Sequence, residues 1–210
     1  MTTIASDTGG KEFTPVPAGA HVAVCDQVID LGIQDGGQYD PRQKIYLRWQ
    51  IPGERVEWEK DGKKLEGPAV IGRKLTLSLS AKSNLRPLLE SWRGRPFTDE
   101  ERKGFDIKNV LGAACMIQVT HSKSQDGTRT FANVIAVMSL PKGIAKPAVE
   151  GSVAYYDCEQ PDAAVYERLS KYIRGLIDAR LTPEQAISKM KQADDPEPQH
   201  DVSDNSDIPF

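Results

Sequence analysis

The middle of the chain alternates between apolar and polar residues, which is the pattern of strands that bury one face. Residues 44–51 show it best, with Ile45, Leu47, Trp49 and Ile51 on one face and Lys44, Tyr46, Arg48 and Gln50 on the other. Similar patterns predict strands at 19–31, 73–80, 113–120 and 129–140. The sequence therefore predicts five strands, and Trp49 is predicted to lie in the core.

Helical spacing of apolar residues appears between the third and fourth strands and again after the fifth. Leu85, Leu88, Leu89 and Trp92 follow a predicted N-cap at Ser83, and Gly94 is placed to end that helix. Residues 163–179 carry one apolar stripe, formed by Val165, Leu169, Tyr172, Ile173, Leu176 and Ile177. Thr182 opens a capping box for a further helix. These C-terminal helices either pack on the strands or mediate self-association.

This element order predicts a mainly β chain. Three strands, a helix and two strands within about 120 residues are typical of an OB-fold-like five-stranded Greek-key barrel with an inserted helix, although other small barrels share that order. A charged insert containing Trp58 and the turn Asp61-Gly62 predicts a protruding hairpin. The predicted organisation is a disordered N-terminus at 1–12, the barrel at 13–142, a linker and helical extension at 143–192, and a disordered acidic tail at 193–210.

Composition adds that part of the chain stays unpacked, since only 39% of its residues are apolar and the mean hydropathy is -0.48. No apolar run is long enough to cross a bilayer, and the N-terminus lacks the order of a secretory signal. Cys25, Cys115 and Cys158 have no metal-binding or disulfide spacing and are predicted to be reduced, mostly buried thiols. We therefore expect a soluble cytoplasmic protein with no membrane contact.

The charge is unevenly distributed. Residues 194–210 hold six acids and no Lys or Arg, whereas residues 42–129 hold 18 basic and 11 acidic side chains, a net charge of +7. A basic body with an acidic tail indicates an anionic partner for the body, of which nucleic acid is the commonest, and an interaction role for the tail.

Binding of single strands requires a basic groove for phosphates and aromatic faces on which bases stack. The candidate nucleic-acid-binding residues are Tyr46, Arg48, Trp58, Arg73, Lys74, Arg93, Arg95, Lys123, Arg129 and Phe131. Several have a structural alternative: Tyr46 as a residue on a solvated sheet face, Trp58 packed on the barrel, and Arg93 and Arg95 as caps of the helix end. The face on which Phe131 lies is ambiguous.

Catalytic motifs are not found. The sequence has no glycine-rich phosphate loop, and His21, His121 and His200 lack metal-ligand spacing with any cysteine or carboxylate pair. Cys115 lies in an apolar strand, where a thiol is usually inert. We therefore predict a protein that is not an enzyme and uses no cofactor or metal.

The sequence ends Asp207-Ile208-Pro209-Phe210 after an acidic stretch that includes Asp204. This ending resembles the tail of bacterial and phage single-stranded DNA-binding proteins, and the strand order over 13–140 is more similar to the divergent phage proteins. The resemblance implies that Phe210 fills an apolar pocket on a DNA replication, recombination or repair protein, with its carboxylate on a basic residue and the upstream acids on a basic rim. Asn205 and Ser206 depart from the family, which often has Asp there.

Two hypotheses follow. In the first, a phage-type protein binds single-stranded DNA without strong sequence preference and recruits partners through its tail. In the second, the chain is a non-enzymatic adaptor of a replication or recombination complex whose barrel binds no nucleic acid. The net charge of +7 and the aromatic residues on polar faces favour the first. Either is compatible with a homo-oligomer.

Overall fold

The computed structural model describes residues 14–60 and 62–194. The strands are β1 (Gly19–Gly36), β2 (Tyr39–Lys60), β3 (Lys63–Thr76), β4 (Ala114–Lys123), β5 (Thr130–Met138) and β6 (Ala154–Tyr156). The helices are α1 (Leu85–Arg93), α2 (Asp99–Lys103), α3 (Ala163–Arg168), α4 (Lys171–Asp178) and α5 (Pro183–Asp194), with a 3₁₀ turn at Ile107–Val110. The prediction of a mainly β chain with an inserted helix and C-terminal helices is confirmed.

All six strands belong to one sheet with the order β3-β2-β1-β4-β5, and β6 pairs with β1 outside this path. Neighbouring strands along the path are antiparallel, whereas β6 runs parallel to β1. The prediction of five strands is therefore wrong by one. The missed strand has only three residues and pairs through backbone atoms, so it leaves little alternation in the sequence.

β3 and β5 are the two ends of the sheet, yet they approach each other at one point. Within the described ranges no backbone ladder joins them, but Arg73 Nη1 donates to the carbonyl oxygen of Ile135 at 3.5 Å. The sheet is thus strongly curved but open along this seam.

The curved sheet encloses the main core. Ile45, Leu47, Trp49 and Ile51 are fully buried there, as their alternation predicts. Helix α1 closes one end of the core through Leu85, Leu88, Leu89 and Trp92. The Trp49 and Trp92 ring centroids are 5.9 Å apart, and Trp92 Nε1 donates to the carbonyl oxygen of Ala114 at 3.1 Å. Trp49 is a core residue, as predicted, and Trp92 lies in the same core.

A second core lies on the outer face of β1, under the C-terminal segment. Ile29 and Leu31 of β1 pack with Ile173 and Ile177 of α4. Of the two alternatives for the C-terminal helices, packing on the strands is the one observed. The single predicted helix at 163–179 is two helices, because the chain is extended at Leu169 and Ser170, and Ser170 caps α4 by accepting from the Ile173 amide.

Strands β2 and β3 extend far beyond the core. Paired residues continue from Lys44↔Thr76 to Lys60↔Lys63, with one register shift between Ile51 and Arg55. The pairs beyond that shift form the predicted protruding hairpin, here called the arm (residues 54–68). The predicted end of the third strand at Ser80 is wrong. β3 ends at Thr76, although Leu77 and Leu79 still pack on the main core.

Candidate nucleic-acid interface

A cleft of about 390 Å³ lies along the seam between β3 and β5. Its two walls are Gly72, Arg73 and Lys74 on β3, and Asn133, Val134 and Ile135 on β5. The cleft exists because the two strands that end the sheet curve towards each other without forming a ladder. It brings together basic side chains from one strand and polar and apolar side chains from the other.

The two basic residues of this cleft point to different faces. Arg73 pairs with the fully buried Leu47, so it shares the inner face of the sheet and reaches into the seam towards the Ile135 carbonyl. Lys74 pairs with Tyr46 on the outer face and is exposed. Arg73 therefore reaches across the seam, whereas the exposed Lys74 stands on its rim.

Strand β5 continues the cleft as an exposed edge. The side chains of Phe131 and Ile135 are 48% and 55% exposed, and Asn133 lies between them. Lys123 and Arg129 are exposed where β4 turns into β5. At a strand rise of about 3.3 Å per residue, the path from Arg129 to Ile135 is roughly 20 Å long. The exposed position of Phe131 resolves the ambiguity of its face.

The turn between β4 and β5 carries one acid beside these cations. Asp126 accepts hydrogen bonds from the Ser124 and Thr128 side chains and from the Thr128 amide, which together lower its pKa to about 2. This carboxylate is held by its own turn, with Gly127 in the left-handed conformation that the Asp-Gly sequence predicts. The side chains of Lys123 and Arg129 take no part in the hydrogen bonds that hold the Asp126 carboxylate in this turn.

Tyr46 is not on an open sheet face, so that expectation is wrong. Its ring packs against the second core, with Ile29 and the α4 residues. Burial raises the pKa of its phenol, the largest of several contributions. Sequence alternation correctly assigned Tyr46 to the outer face, but the covering by α4 depends on contacts more than 100 residues apart.

Arg48 is also engaged within the protein. Its Nε and Nη2 atoms donate to Asp26 Oδ1 and Oδ2 at 3.1 Å and 2.6 Å, and the Asp26 side chain is fully buried. Asp26 sits at a register shift between Cys25 and Gln27, where β1 has one residue more than β2. The expectation that Arg48 offers a free charge to phosphates is therefore corrected: its charge is neutralised by the bulged Asp26.

The same carboxylate helps to hold the C-terminal segment. Gln50 Nε2 donates to Asp26 Oδ2 at 3.1 Å and to the Glu150 carbonyl oxygen at 3.0 Å, and Gln50 Oε1 accepts from the Glu150 amide at 2.8 Å. Arg55 at the base of the arm bonds the Glu150 carboxylate at 2.7 Å and that of Glu66 at 2.9 Å. These contacts anchor the segment to the outer face of β2.

Arg93 and Arg95 were predicted either to line the groove or to cap the end of α1. In the structure, both instead bind Glu101 and so organise the loop that follows α1. Both pair with Glu101, at 2.5 Å and 2.7 Å, and the guanidinium of Arg93 stacks 4.3 Å from the Phe97 ring centroid. Arg93 is mostly buried and is not a groove residue. Glu101 also accepts from the Thr98 amide, and these bonds lower its pKa to about 2.

Trp58 lies on the arm and is 43% exposed. It pairs with Leu65, and its ring crosses Gly67, where an added Cβ would stand 2.8 Å from Trp58 Cη2. Val56, Trp58 and Leu65 form the apolar face of the arm, while Glu57 and its partner Glu66 share the opposite face. Trp58 is therefore separate from the cleft, and base stacking by it stays a prediction.

Sequence reasoning missed two basic residues beside Lys74. Lys44 donates to Thr76 Oγ1 at 2.6 Å, and its pKa is lowered by partial burial and by the charges of Lys74 and Arg42. We call Arg42, Lys44 and Lys74 the basic cluster. The alternation pattern already placed Lys44 on the polar face of the second strand. Its proximity to Lys74 depends on the register between β2 and β3, which the pattern does not give.

The predicted tail residues Asp204, Asp207, Ile208, Pro209 and Phe210 lie outside the described residues, as do residues 1–12. In the part of the chain that the structure describes, no group of three or more His, Cys, Asp or Glu side chains could hold a metal ion. No helix among the described residues is long and apolar enough to cross a membrane. Cys25 and Cys115 are buried, as predicted, and burial raises the pKa of both thiols.

Comparison of the sequence with models of known protein families finds no match. Comparison with curated proteins finds none either. The chemistry of the cleft and of its surroundings must therefore support any functional assignment.

Proposed function

We propose that this chain binds single-stranded DNA without strong sequence preference, along the cleft between β3 and β5. The observation that carries the proposal is the combination of Arg73 and Lys74 on one wall with exposed Phe131 on the continuing edge. Cations that contact phosphates and an aromatic face that stacks a base are what a sequence-tolerant single-strand site requires. Lys123 and Arg129 extend the basic path at the far end of β5.

The same proposal includes an OB-fold-like body. An OB-fold is a five-stranded, partly open Greek-key barrel. Three observed features support this assignment: β1 lies between β2 and β4, a helix follows β3, and β3 faces β5. In this proposal the seam is the partly open side of the barrel. The absence of catalytic chemistry, the cytoplasmic setting, and a role in phage DNA replication, recombination or repair belong to the proposal as well.

Partner recruitment is assigned to the last residues of the sequence. The acids before Ile208, Pro209 and Phe210 and the resemblance to single-stranded DNA-binding tails support it. Phe210 supplies a large apolar group, and Pro209 reduces the conformational entropy lost when the segment docks.

The test is fluorescence anisotropy with labelled oligo-dT at several salt concentrations, with duplex of equal length as the comparison. We expect oligo-dT to bind more tightly than duplex, with affinity falling as salt rises. Phe131→Ala should weaken binding by about 1–3 kcal/mol. Lys74→Ala should reduce the slope of log affinity against log salt by about 0.7. The matched control is Lys103→Ala, which removes an exposed cation paired with Glu100 on α2.

Lack of oligo-dT binding at low salt, or tighter binding to duplex, would refute the proposal.

A protein–protein adaptor is the second candidate, because the apolar face of the arm exposes Val56, Trp58 and Leu65 together. An adaptor predicts that neither the unaltered chain nor its Phe131→Ala and Lys74→Ala variants bind oligo-dT.

A further inference from the structure

Strand β3 has an open second edge along the arm. β3 is the last strand on one side of the sheet, and within the described residues no strand other than β2 pairs with it. In the arm, this edge begins after Gly62, which has the left-handed backbone of a turn. It ends before Pro68, which has no amide proton to donate. Residues 63–67 therefore offer a short backbone edge to another strand.

The side chains of this edge are arranged so that the strand complements itself. Lys64 and Glu66 lie on one face of the arm, and Leu65 lies between them on the other face. All three side chains are exposed. When two identical strands of this kind pair antiparallel about the middle residue, the base of each copy lies opposite the acid of the other.

Glu66 can accept a second cation beside the one it already contacts. It lies opposite Glu57 in the β2–β3 ladder, and like charges directly opposite each other destabilise a sheet. Arg55 offsets part of this repulsion by donating to Glu66 Oε1 at 2.9 Å. An ionised carboxylate has two acceptor oxygens, and this bond uses one of them. A lysine next to Glu66 on the open edge would reduce the repulsion further.

We propose that two copies of this chain associate through the open edge of the arm, with the two β3 strands antiparallel and centred on Leu65. In that register, Lys64 of each copy lies opposite Glu66 of the other, which gives two pairs of opposite charge. Centring the pair on any of the three charged residues of the edge would instead place identical charges opposite each other. The charges therefore select one register, and the resulting interface has twofold symmetry.

The apolar face of the arm supports the same pairing. Leu65 would lie opposite Leu65 of the second copy, and Trp58 lies beside Leu65 in the existing ladder. One face of the four-stranded sheet would thus carry a continuous apolar row of two leucines between two tryptophans. Lys63 of the second copy would lie opposite Gly67, which the Trp58 ring crosses. That places an ammonium group beside an aromatic ring, where cation–π attraction adds to the pairing.

The charges also explain why a second copy fits this edge better than an unrelated strand. Lysines on an open edge hinder strand addition, because pairing would bring them against a foreign strand without a counter-charge. Lys64 loses this hindrance only where the partner presents an acid opposite it. The edge is separate from residues 72–74 of β3, which line the cleft. The association therefore goes beyond the proposed DNA binding and does not depend on it.

Sedimentation velocity of the full chain without DNA tests the association. Because five paired residues bury less than a standard interface, we expect a weak dimer, with a Kd on the order of 100 μM. Lys64→Glu and Glu66→Lys each place like charges in both pairs and should weaken the dimer about 10-fold or more. An equimolar mixture of these two variants regains opposite charges in both pairs and should associate. Lys82→Glu reverses an exposed charge outside the arm and should behave like the unaltered chain.

Disulfide trapping tests the register independently. Directly opposed residues of antiparallel strands have Cα atoms about 4.5–5.5 Å apart, which a disulfide can span. We therefore expect Leu65→Cys to form a covalent dimer when oxidised glutathione takes up the two electrons. Val70→Cys is the control, because Val70 is exposed on the same strand but lies outside the edge. Circular dichroism checks that each variant is folded.

Three outcomes would overturn the proposal. The first is an unaltered chain that stays monomeric up to about 1 mM, since a Kd near 100 μM would make most of it dimeric there. The second is a dimer that neither charge reversal weakens, or a mixture of the two reversed variants that does not associate. The third is equal trapping of Leu65→Cys and Val70→Cys.

Discussion

The phenol of Tyr46 lies directly over Gly72 on the neighbouring strand. A Cβ built on Gly72 would stand 1.9 Å from Tyr46 Oη and 2.1 Å from Cζ, far inside contact distance. The ring is held on its other side by the second core. Gly72 is therefore required by a close approach of side chain to backbone, at the point where β3 forms one wall of the cleft.

Replacing Gly72 with Ala should destabilise the fold by about 1–3 kcal/mol, because the tyrosine ring cannot withdraw without disturbing its packing. Urea unfolding measures the change. Gly53→Ala is the control, since a Cβ at Gly53 meets nothing within 4 Å. In the Tyr46→Ala background the cost of Gly72→Ala should largely disappear. An equal cost in both backgrounds would show that the ring does not cause it.

Arg48→Ala should cost about 3 kcal/mol of stability, because it leaves the buried Asp26 carboxylate without its cation. We expect the loss to appear in chemical unfolding. Adding Asp26→Asn should recover much of it, since a neutral amide is less costly to bury alone. At a temperature where the variant is folded, its oligo-dT affinity should equal that of the unaltered protein. A flatter salt dependence for folded Arg48→Ala would contradict the internal role of this arginine.

The Glu101 contacts predict a pH-dependent contribution to stability. Hydrogen bonds from Arg95, the Thr98 amide and Arg93 lower its folded-state pKa from the usual 4.5 to about 2. A lowered carboxyl pKa stabilises the fold above the unfolded-state value, and the contribution is lost as pH falls through the folded-state value. Glu101→Gln should therefore have a lower Tm than the unaltered protein at pH 7. The gap should narrow between about pH 4.5 and pH 2. A constant gap would count against these bonds.

Deletion of residues 195–210 should leave oligo-dT affinity unchanged or slightly increased at low salt. The deleted segment carries five side-chain carboxylates, which we expect to compete weakly with DNA for the basic surface, and salt should screen this competition. Phe210→Ala should abolish retention of replication or repair proteins from bacterial extract without changing DNA affinity. Val202→Ala is the control within the same segment. Identical sets of retained proteins from the full chain and Phe210→Ala would show that the segment recruits nothing.

Alternation was sufficient to predict the central elements of the fold. Ile45, Leu47, Trp49 and Ile51 identify both the strand and its buried face, because a period of two fixes the direction of every side chain. Gly94 does adopt the left-handed conformation that ends α1. These features depend on neighbouring residues, which is why the sequence alone predicts them.

The candidate site was only partly predictable, because solvent exposure depends on distant residues. Arg73 and Lys74 do line one cleft with β5, and Phe131 lies on its exposed continuation. Tyr46 and Arg48 were assigned to the correct face, but Tyr46 packs against the second core and Arg48 pairs with the buried Asp26. The partner of Arg48, Asp26, lies at a bulge that no alternation pattern marks.

Tyr172 illustrates the same limit for helices. Its spacing from Val165 and Leu169 places it on their apolar stripe only if residues 163–179 are one helix. The extended backbone at Leu169 and Ser170 resets the phase, so that Ile173 and Ile177 face the sheet and Tyr172 faces solvent. Ser170 is a good N-cap residue, which is the local signal for this break.

The open seam has a consequence for the behaviour of the protein at high concentration. A strand edge with unpaired backbone groups can pair with a strand of another molecule. The exposed Ile135 side chain adds apolar surface at the β5 edge and so favours such pairing. Arg73 places a charge between the β3 and β5 edges, within 3.5 Å of the Ile135 carbonyl. A strand entering the seam would have to bury that guanidinium. We therefore expect the charge of Arg73 to oppose edge-to-edge association of two copies of the chain along this seam at high concentration.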